Sequence, residues 1–286
     1  MSKDYISVVM TTYNGEKYIK EQLDSIIRQT CTPNEIIIAD DCSSDSTVNI
    51  VKSYNNKTDI EIINYVNNHN LGYIQNFKNA ISKARGEYIF LCDQDDVWND
   101  KKIEKTVKLM KEHNASIACT GFSLIDKDGF VIKDLECYKS DPISGYCNWS
   151  YSVKKISINR LVWGNFCPGC TYCFNRDVLN VFNDLKNTEL SHDFQLLLIG
   201  ANHGSAIYID MPLSKYRLHG ANTVGMNNKE AKRSRHIKPR LTRFFDELAE
   251  IERVKNVLYL NTILYLRLPK IRSVVIHMFH LNNNWI

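Results

Sequence analysis

Residues 88–96 read YIFLCDQDD, five apolar residues followed by three acids within four positions. An unbroken apolar run of that length fits a strand buried on both faces, so the acids fall at the strand's carboxyl end. The same arrangement recurs upstream, where YISVVM (5–10) runs into TTYN and EIIIA (35–39) runs into DDCSS. Between those two runs, Tyr18, Ile19, Leu23, Ile26 and Ile27 share one face of a helix expected over 15–29. Ser43, Ser44 or Asp45 can cap a further helix through Val48 and Val51. IEIINYV (60–66) reads as another strand and 73–84 as another helix. Such alternation predicts βαβ units and an α/β fold with a mostly parallel sheet flanked by helices. Ligands of such sheets bind in loops at the carboxyl ends of strands. Thr11 to Asn14, Asp40 to Ser44 and Asp93 to Asp96 all lie at such ends.

Further along, a Lys-rich amphipathic helix (101–113) is followed by a strand near 116–125 and a DKDG turn at 126–129. Residues 134–160 are polar and read as an irregular loop near a substrate. From 229 onward, Ile237, Leu241, Phe244, Leu248, Ile251, Val254 and Leu258 recur at helical spacing with Arg and Lys between them.

The chain of 286 residues is 44% hydrophobic and 24% charged, an ordinary globular composition. Its net charge of +4 is unevenly spread. Residues 228–286 hold 12 lysines and arginines against 5 acids, a net of +7, and the first 227 residues are at −3. No secretory signal is visible at the start, and nine scattered cysteines fit reduced thiols, so a cytosolic chain is expected. Arg267, Lys270 and Arg272 interrupt the apolar runs of the tail below the roughly 20 residues that span a bilayer. The tail then reads either as a basic amphipathic segment lying on an anionic inner membrane face, or as a helix docked on the body. No nucleic-acid partner is expected.

Three crowded acids repel one another unless a cation joins them, and carboxylates suit Mg2+ or Mn2+, which commonly also hold substrate phosphates. The bland alternative is a solvated acidic turn at the start of the helix near Asn99. Tyr13 can stack on a planar base, or be an ordinary half-buried aromatic, and Asp40 can accept from a base N–H. A nucleotide pocket beside a metal accounts for all three strand ends together. Cys167, Cys170 and Cys173 form a CxxCxxC run without a fourth ligand at convincing spacing, so zinc or iron–sulfur chemistry is not assigned.

The ordered stretches MTTYNGEKYIKEQLDSIIRQT, EIIIADDCSSDST, NHNLGYIQNFKNA and ARGEYIFLCDQDDVW resemble the family 2 inverting glycosyltransferases of GT-A fold, densely over about the first 125 residues. GCTYCFNRDV, SHDFQLLLIGA and YRLHGANTVG resemble the rhamnosyltransferase-like branch, to about residue 225. The resemblance implies a GT-A glycosyltransferase domain over 1–227, with 228–286 as a basic helical tail. It implies that Thr11, Tyr13 and Asp40 hold the base, Asp93 the ribose and Asp95 a metal. Asp193 matches the family's catalytic carboxylate, next to His192. Gly169, Cys170 and Thr171 fall on the wall facing donor sugar and acceptor, with Trp163 and Asn165 bordering it. His219 can supply an imidazole to the metal, acceptably for Mn2+, and Arg217 can meet a phosphate oxygen. Cys42 departs from the family, which usually has Gly there, and the turn is expected to reach positive φ less easily.

The reading is an inverting, metal-dependent transferase that moves a sugar from dTDP-rhamnose or a UDP-sugar to a glycan or lipid-linked acceptor. The setting would be bacterial surface polysaccharide synthesis at the cytoplasmic face of the membrane. A nucleotidyltransferase would call for a glycine-rich basic phosphate loop after the first strand, which MTTYNGEKY lacks. A non-catalytic nucleotide-sugar-binding protein would have lost the base or metal acids, and all are present.

Overall fold

The computed structural model describes residues 4–136, 153–161, 165–186, 190–220 and 237–252. Strands β1 (Ile6–Thr12), β2 (Glu35–Asp40), β3 (Glu61–Val66) and β4 (Tyr88–Asp93) alternate with helices α1 (Ile19–Ile27), α2 (Thr47–Lys52) and α3 (Tyr73–Ile81). After β4 come β5 (Val97–Trp98), α4 (Lys102–Glu112), β6 (Ile117–Ile125), β7 (Val131–Glu136), β8 (Val153–Ile156) and α5 (Ile158–Leu161). A 3-10 turn (Gly169–Thr171) leads into β9 (Tyr172–Asn175), α6 (Arg176–Asp184), α7 (His192–His203), β10 (Ala206–Arg217) and α8 (Ile237–Glu252).

The sheet runs β3-β2-β1-β4-β9-β6-β10-β5, with β7 on β6 and β8 on β10. Its first four strands are mutually parallel, as the apolar runs predict. Beyond β4 it is mixed, because β9 enters antiparallel between β4 and β6. Alternate strand residues face opposite layers. Ile6, Val8 and Met10 pack with α1 and α4, whereas Val9 packs with α3, α6 and α7.

Two expectations change, and the choice left open for the tail is decided over α8. Residues 134–160 are not irregular throughout, since β7 reaches Glu136 and β8 pairs with β10; residues 137–152 lie outside the described ones. The cap of α2 is not a serine side chain: Ser46 holds the cap position, and Asp45 Oδ1 accepts from Thr47 N (2.9 Å). In the tail, α8 docks on the body, with Leu241, Phe244, Phe245 and Leu248 completely buried in the main core. No described helix is long and apolar enough to cross a membrane.

Candidate active site

The carboxyl ends of β1, β2 and β4 open on a cleft of about 920 Å³, closed on its far side by the 3-10 turn, the start of α7 and the end of β10. Thr11, Tyr13, Asp93, Asp95, Gly169, Cys170, His192, Asp193 and His219 all line it. The two halves of the candidate site therefore meet. Trp163 lies outside the described residues.

The first loop is held open by its neighbours. Gln94 Oε1 accepts from Tyr13 N (2.9 Å) and its Nε2 donates to Tyr13 O (3.0 Å), which leaves the Tyr13 ring 49% exposed and available for stacking. Asn14 N donates to Ser43 Oγ and Gly15 N to Thr47 Oγ1, both at 2.8 Å, bracing this loop against the one after β2.

Asp40 does not face the cleft. It is wholly buried, with Oδ1 accepting from Ser43 N (2.8 Å) and Oδ2 from Thr12 Oγ1 (2.7 Å) and Ser43 Oγ (2.6 Å). Asp41, the next residue, lines the cleft in its place, though only 3% exposed, its Oδ1 accepting from Asn67 Nδ2 and Leu71 N and its Oδ2 from Gly72 N. Cys42 adopts φ +68° without glycine, so the turn does reach the left-handed region.

The acid cluster divides along its own length. Burial pushes the Asp93 carboxyl up to about 7, with the charge of Asp95 adding to the rise. Asp96 is buried, also held well up by burial, and its Oδ1 accepts from Arg217 N (3.1 Å), so it supports the turn. Asp95 Oδ2 lies 2.7 Å from His219 Nε2, both side chains being about one-seventh exposed at the cleft. A carboxylate and an imidazole nitrogen placed together at an open cleft fit a divalent cation. Ligating atoms of Asp93, Asp96 and Cys170 also lie within 4.8 Å of one another. Burial, with the nearby charges of Asp96 and Asp93, holds that thiol well above its ordinary range.

What brings His219 to Asp95, 124 residues away, is β5. Trp98 pairs with Ser214 and Val97 with Lys215, which sets the acid loop against the end of β10. Arg217 then locks it: Nε donates to Asp95 O (2.8 Å), Nη2 to Glu21 Oε2 (2.6 Å) and Nη1 to Asp126 O (3.3 Å). Its side chain is 1% exposed and stacks on Tyr18, which also meets the His219 ring at 5.0 Å and Lys17 Nζ at 4.8 Å. Arg217 is thus a buried post under the site, not a phosphate contact. Thr171 is likewise buried, its Oγ1 donating to Pro168 O (2.7 Å), and does not face donor or acceptor.

Across the cleft, Asp193 occupies the first turn of α7, with Oδ1 accepting from Phe194 N and Oδ2 from Asn165 Nδ2, both at 2.8 Å. Ser191 holds the N-cap position, so Asp193 is not the cap. His192 is 95% buried and stacks on Phe77 at 4.2 Å. Lys102 Nζ, also buried, donates to Cys170 O (2.9 Å) and Ser214 Oγ (2.7 Å), fixing the 3-10 turn from behind. Asp41 and Gln94 stood in the strand-end clusters read from the sequence without a role of their own, and Lys102 was not singled out. The acid pair 40–41 was the available signal for the first.

A family model described as Glycosyl transferase family 2 matches residues 7–182. The chain is 31% identical over 235 residues to the dTDP-rhamnosyl transferase RfbG of Shigella flexneri, covering 76% of this chain and 74% of that one. It spans 59% of the length of mycobacterial relatives that it matches at 32% identity. Among solved structures, S. aureus TarS 1–349 in complex with UDP-GlcNAc is similar at a TM-score of 0.64 and 17% identity, over 92% of this chain and 71% of that one. The mannosyltransferase PcManGT from Pyrobaculum calidifontis, in complex with GDP-Man and Mn2+, is similar at 0.55 and 18%, over 94% and 71%. At those identities the likeness is one of fold, the GT-A architecture expected from the sequence.

Proposed function

The chain belongs to glycosyl transferase family 2, and from that premise we propose that it transfers a sugar, with inversion, from a nucleotide-diphosphate sugar to a hydroxyl of a glycan or lipid-linked acceptor. The observation that carries this reading is the single cleft with the Asp95–His219 pair on one wall and the Asp193 carboxylate on the other.

Tyr13 stacks on the base and Asp41, in place of Asp40, accepts from its N–H, with Thr11 beside them. Asp93, on the cleft wall at the end of β4, accepts from a ribose hydroxyl. Asp95 and His219 hold Mn2+ or Mg2+, with the imidazole favouring Mn2+. When bound, that cation offsets the negative charge that grows on the departing diphosphate. Lys17 and Lys127 also line the cleft, Lys127 paired with Asp128. Asp193 takes the proton of the acceptor hydroxyl as it attacks the anomeric carbon, and one carboxylate suffices for such direct displacement. Holding both substrates in line supplies much of the rate.

The similarity to a dTDP-rhamnosyl transferase favours dTDP-rhamnose, with UDP-sugars as the alternative donors, in surface polysaccharide assembly. Residues 253–286 contain five lysines and arginines and no acid, which supports contact with the anionic inner leaflet. The test is a panel of dTDP-rhamnose, UDP-glucose and UDP-N-acetylglucosamine with Mn2+, Mg2+ or EDTA, read as nucleoside diphosphate release. Release should require the cation, and Asp193→Asn should lower it by roughly 10²–10⁴-fold with donor binding retained. Release of pyrophosphate instead, or activity that survives both Asp95→Ala and Asp193→Ala, would overturn the reading.

A further inference from the structure

Asp193 is useful as a base only if its carboxylate stands in one orientation, and Asn165, Tyr172 and Gly169 join the Phe194 N–H in holding it. Asn165 Nδ2 donates to Asp193 Oδ2 (2.8 Å). The Asn165 amide cannot be turned over without loss, because its Oδ1 accepts from Cys167 N (3.2 Å) and from Tyr172 Oη (2.7 Å), a hydroxyl also 3.1 Å from Cys167 O. Tyr172, on β9, is completely buried, so the relay is anchored in the sheet. Gly169 closes the remaining side: a Cβ there would stand 2.9 Å from Asp193 Cβ.

Resting on the functional reading above, we propose that Asn165 is the positioning residue of the base, transmitting the fixed position of Tyr172 to the Asp193 carboxylate. Each carboxylate oxygen then accepts one protein N–H, from Phe194 or from Asn165, and keeps lone-pair capacity for the acceptor's hydroxyl proton. The other titratable groups around Asp193 are His192 on its own helix, Tyr73 on α3, Asp93 at the end of β4 and Tyr172 on β9.

Asn165→Asp and Asn165→Ala separate this role from a structural one. Asn165→Asp keeps the shape and the acceptor toward Tyr172 and Cys167, but replaces the N–H facing Asp193 with an oxygen. With dTDP-rhamnose, UDP-glucose or UDP-N-acetylglucosamine, Mn2+, and water as acceptor, kcat for nucleoside diphosphate release should fall roughly 10–100-fold in both variants at unchanged donor KM. The acidic limb of the kcat profile should move to higher pH, further in Asn165→Asp than in Asn165→Ala. Tyr172→Phe, which loses only the hydroxyl, should shift the limb in the same direction by less, and it decides the matter should an Asn165 variant fail to fold. Thermal stabilisation by UDP or dTDP with Mn2+ should equal that of the wild type in each folded variant. Wild-type kcat and an unmoved acidic limb in variants made alongside an inactive Asp193→Asn would overturn the Asn165 assignment and leave the function standing. A wild type that releases nucleoside diphosphate from none of the donors would take both down.

Discussion

His192 stacks on Phe77 within the cleft wall, and burial pulls its imidazole down to about 4, only partly opposed by the charge of Asp193. The unfolded chain takes up that proton near 6.5, so between about 6.5 and 4 it binds more protons than the folded one. Stability is therefore lost as pH falls through this window, by roughly 2 kcal/mol at pH 5. His192→Phe keeps an aromatic ring against Phe77 and removes the titration. Denaturant melts of the variant at pH 7.5 and 5 should differ by about 2 kcal/mol less than those of the wild type; equal pH sensitivity would count against a neutral, buried His192. Cys42 offers a second residue-level check. Its φ of +68° strains an L side chain, so Cys42→Gly should leave the base-binding turn in place and raise stability by up to about 1 kcal/mol in the same melts. The sequence revealed that two acids end β2 but not which one the cleft receives. That choice depends on Thr12 and Ser43 claiming the Asp40 carboxylate, contacts made across a strand pair and a turn.

At the level of elements, the long apolar strands were legible because burial on both faces leaves an unbroken run. β5 was not, since two residues carry no periodicity. Yet Val97–Trp98 is the pairing that carries the acid loop to His219, and β10 itself is broken by register shifts around Pro212, which has no N–H to give the ladder. Arg217 looked like a phosphate contact because an Arg beside a candidate metal ligand suggests one. Its burial and its bonds to Glu21, Asp95 and Asp126 instead make it the bolt between α1, the acid loop and the DKDG turn. Arg217→Met should fill the space but take the guanidinium from the Asp95 and Asp126 carbonyls and the Glu21 carboxylate, lowering stability by about 3 kcal/mol. It should also weaken Mn2+-dependent stabilisation by UDP, because Asp95 and His219 lose their common support. Calorimetric melts with and without Mn2+ and UDP separate the two effects, and an unchanged Mn2+ increment would show that the metal pair is aligned without Arg217.

At the scale of the whole molecule, the sheet carries a core on each face, and α8 completes one of them with Leu241, Phe244, Phe245 and Leu248. Helical periodicity alone fitted both docking and a membrane surface, since either partner asks only for one apolar stripe. Burial decides for this helix and leaves the basic residues beyond it to serve the proposed membrane contact. Removing 237–286 should therefore strip the core, and Phe244→Ala alone should cost about 4 kcal/mol. Removing only 253–286 should leave the melting temperature and nucleoside diphosphate release close to those of the full chain. What that shorter deletion should abolish is binding to vesicles rich in phosphatidylglycerol. Basic residues near an anionic surface contribute about 1 kcal/mol each, and the attraction is screened as the Debye length contracts to about 3 Å in molar salt. Flotation of the full chain with such vesicles should succeed in low salt and fail near 1 M NaCl. Equal flotation by the chain ending at Glu252 would move the membrane contact onto the body, where the exposed lysines of α4 and the cleft rim would be the next surface to neutralise.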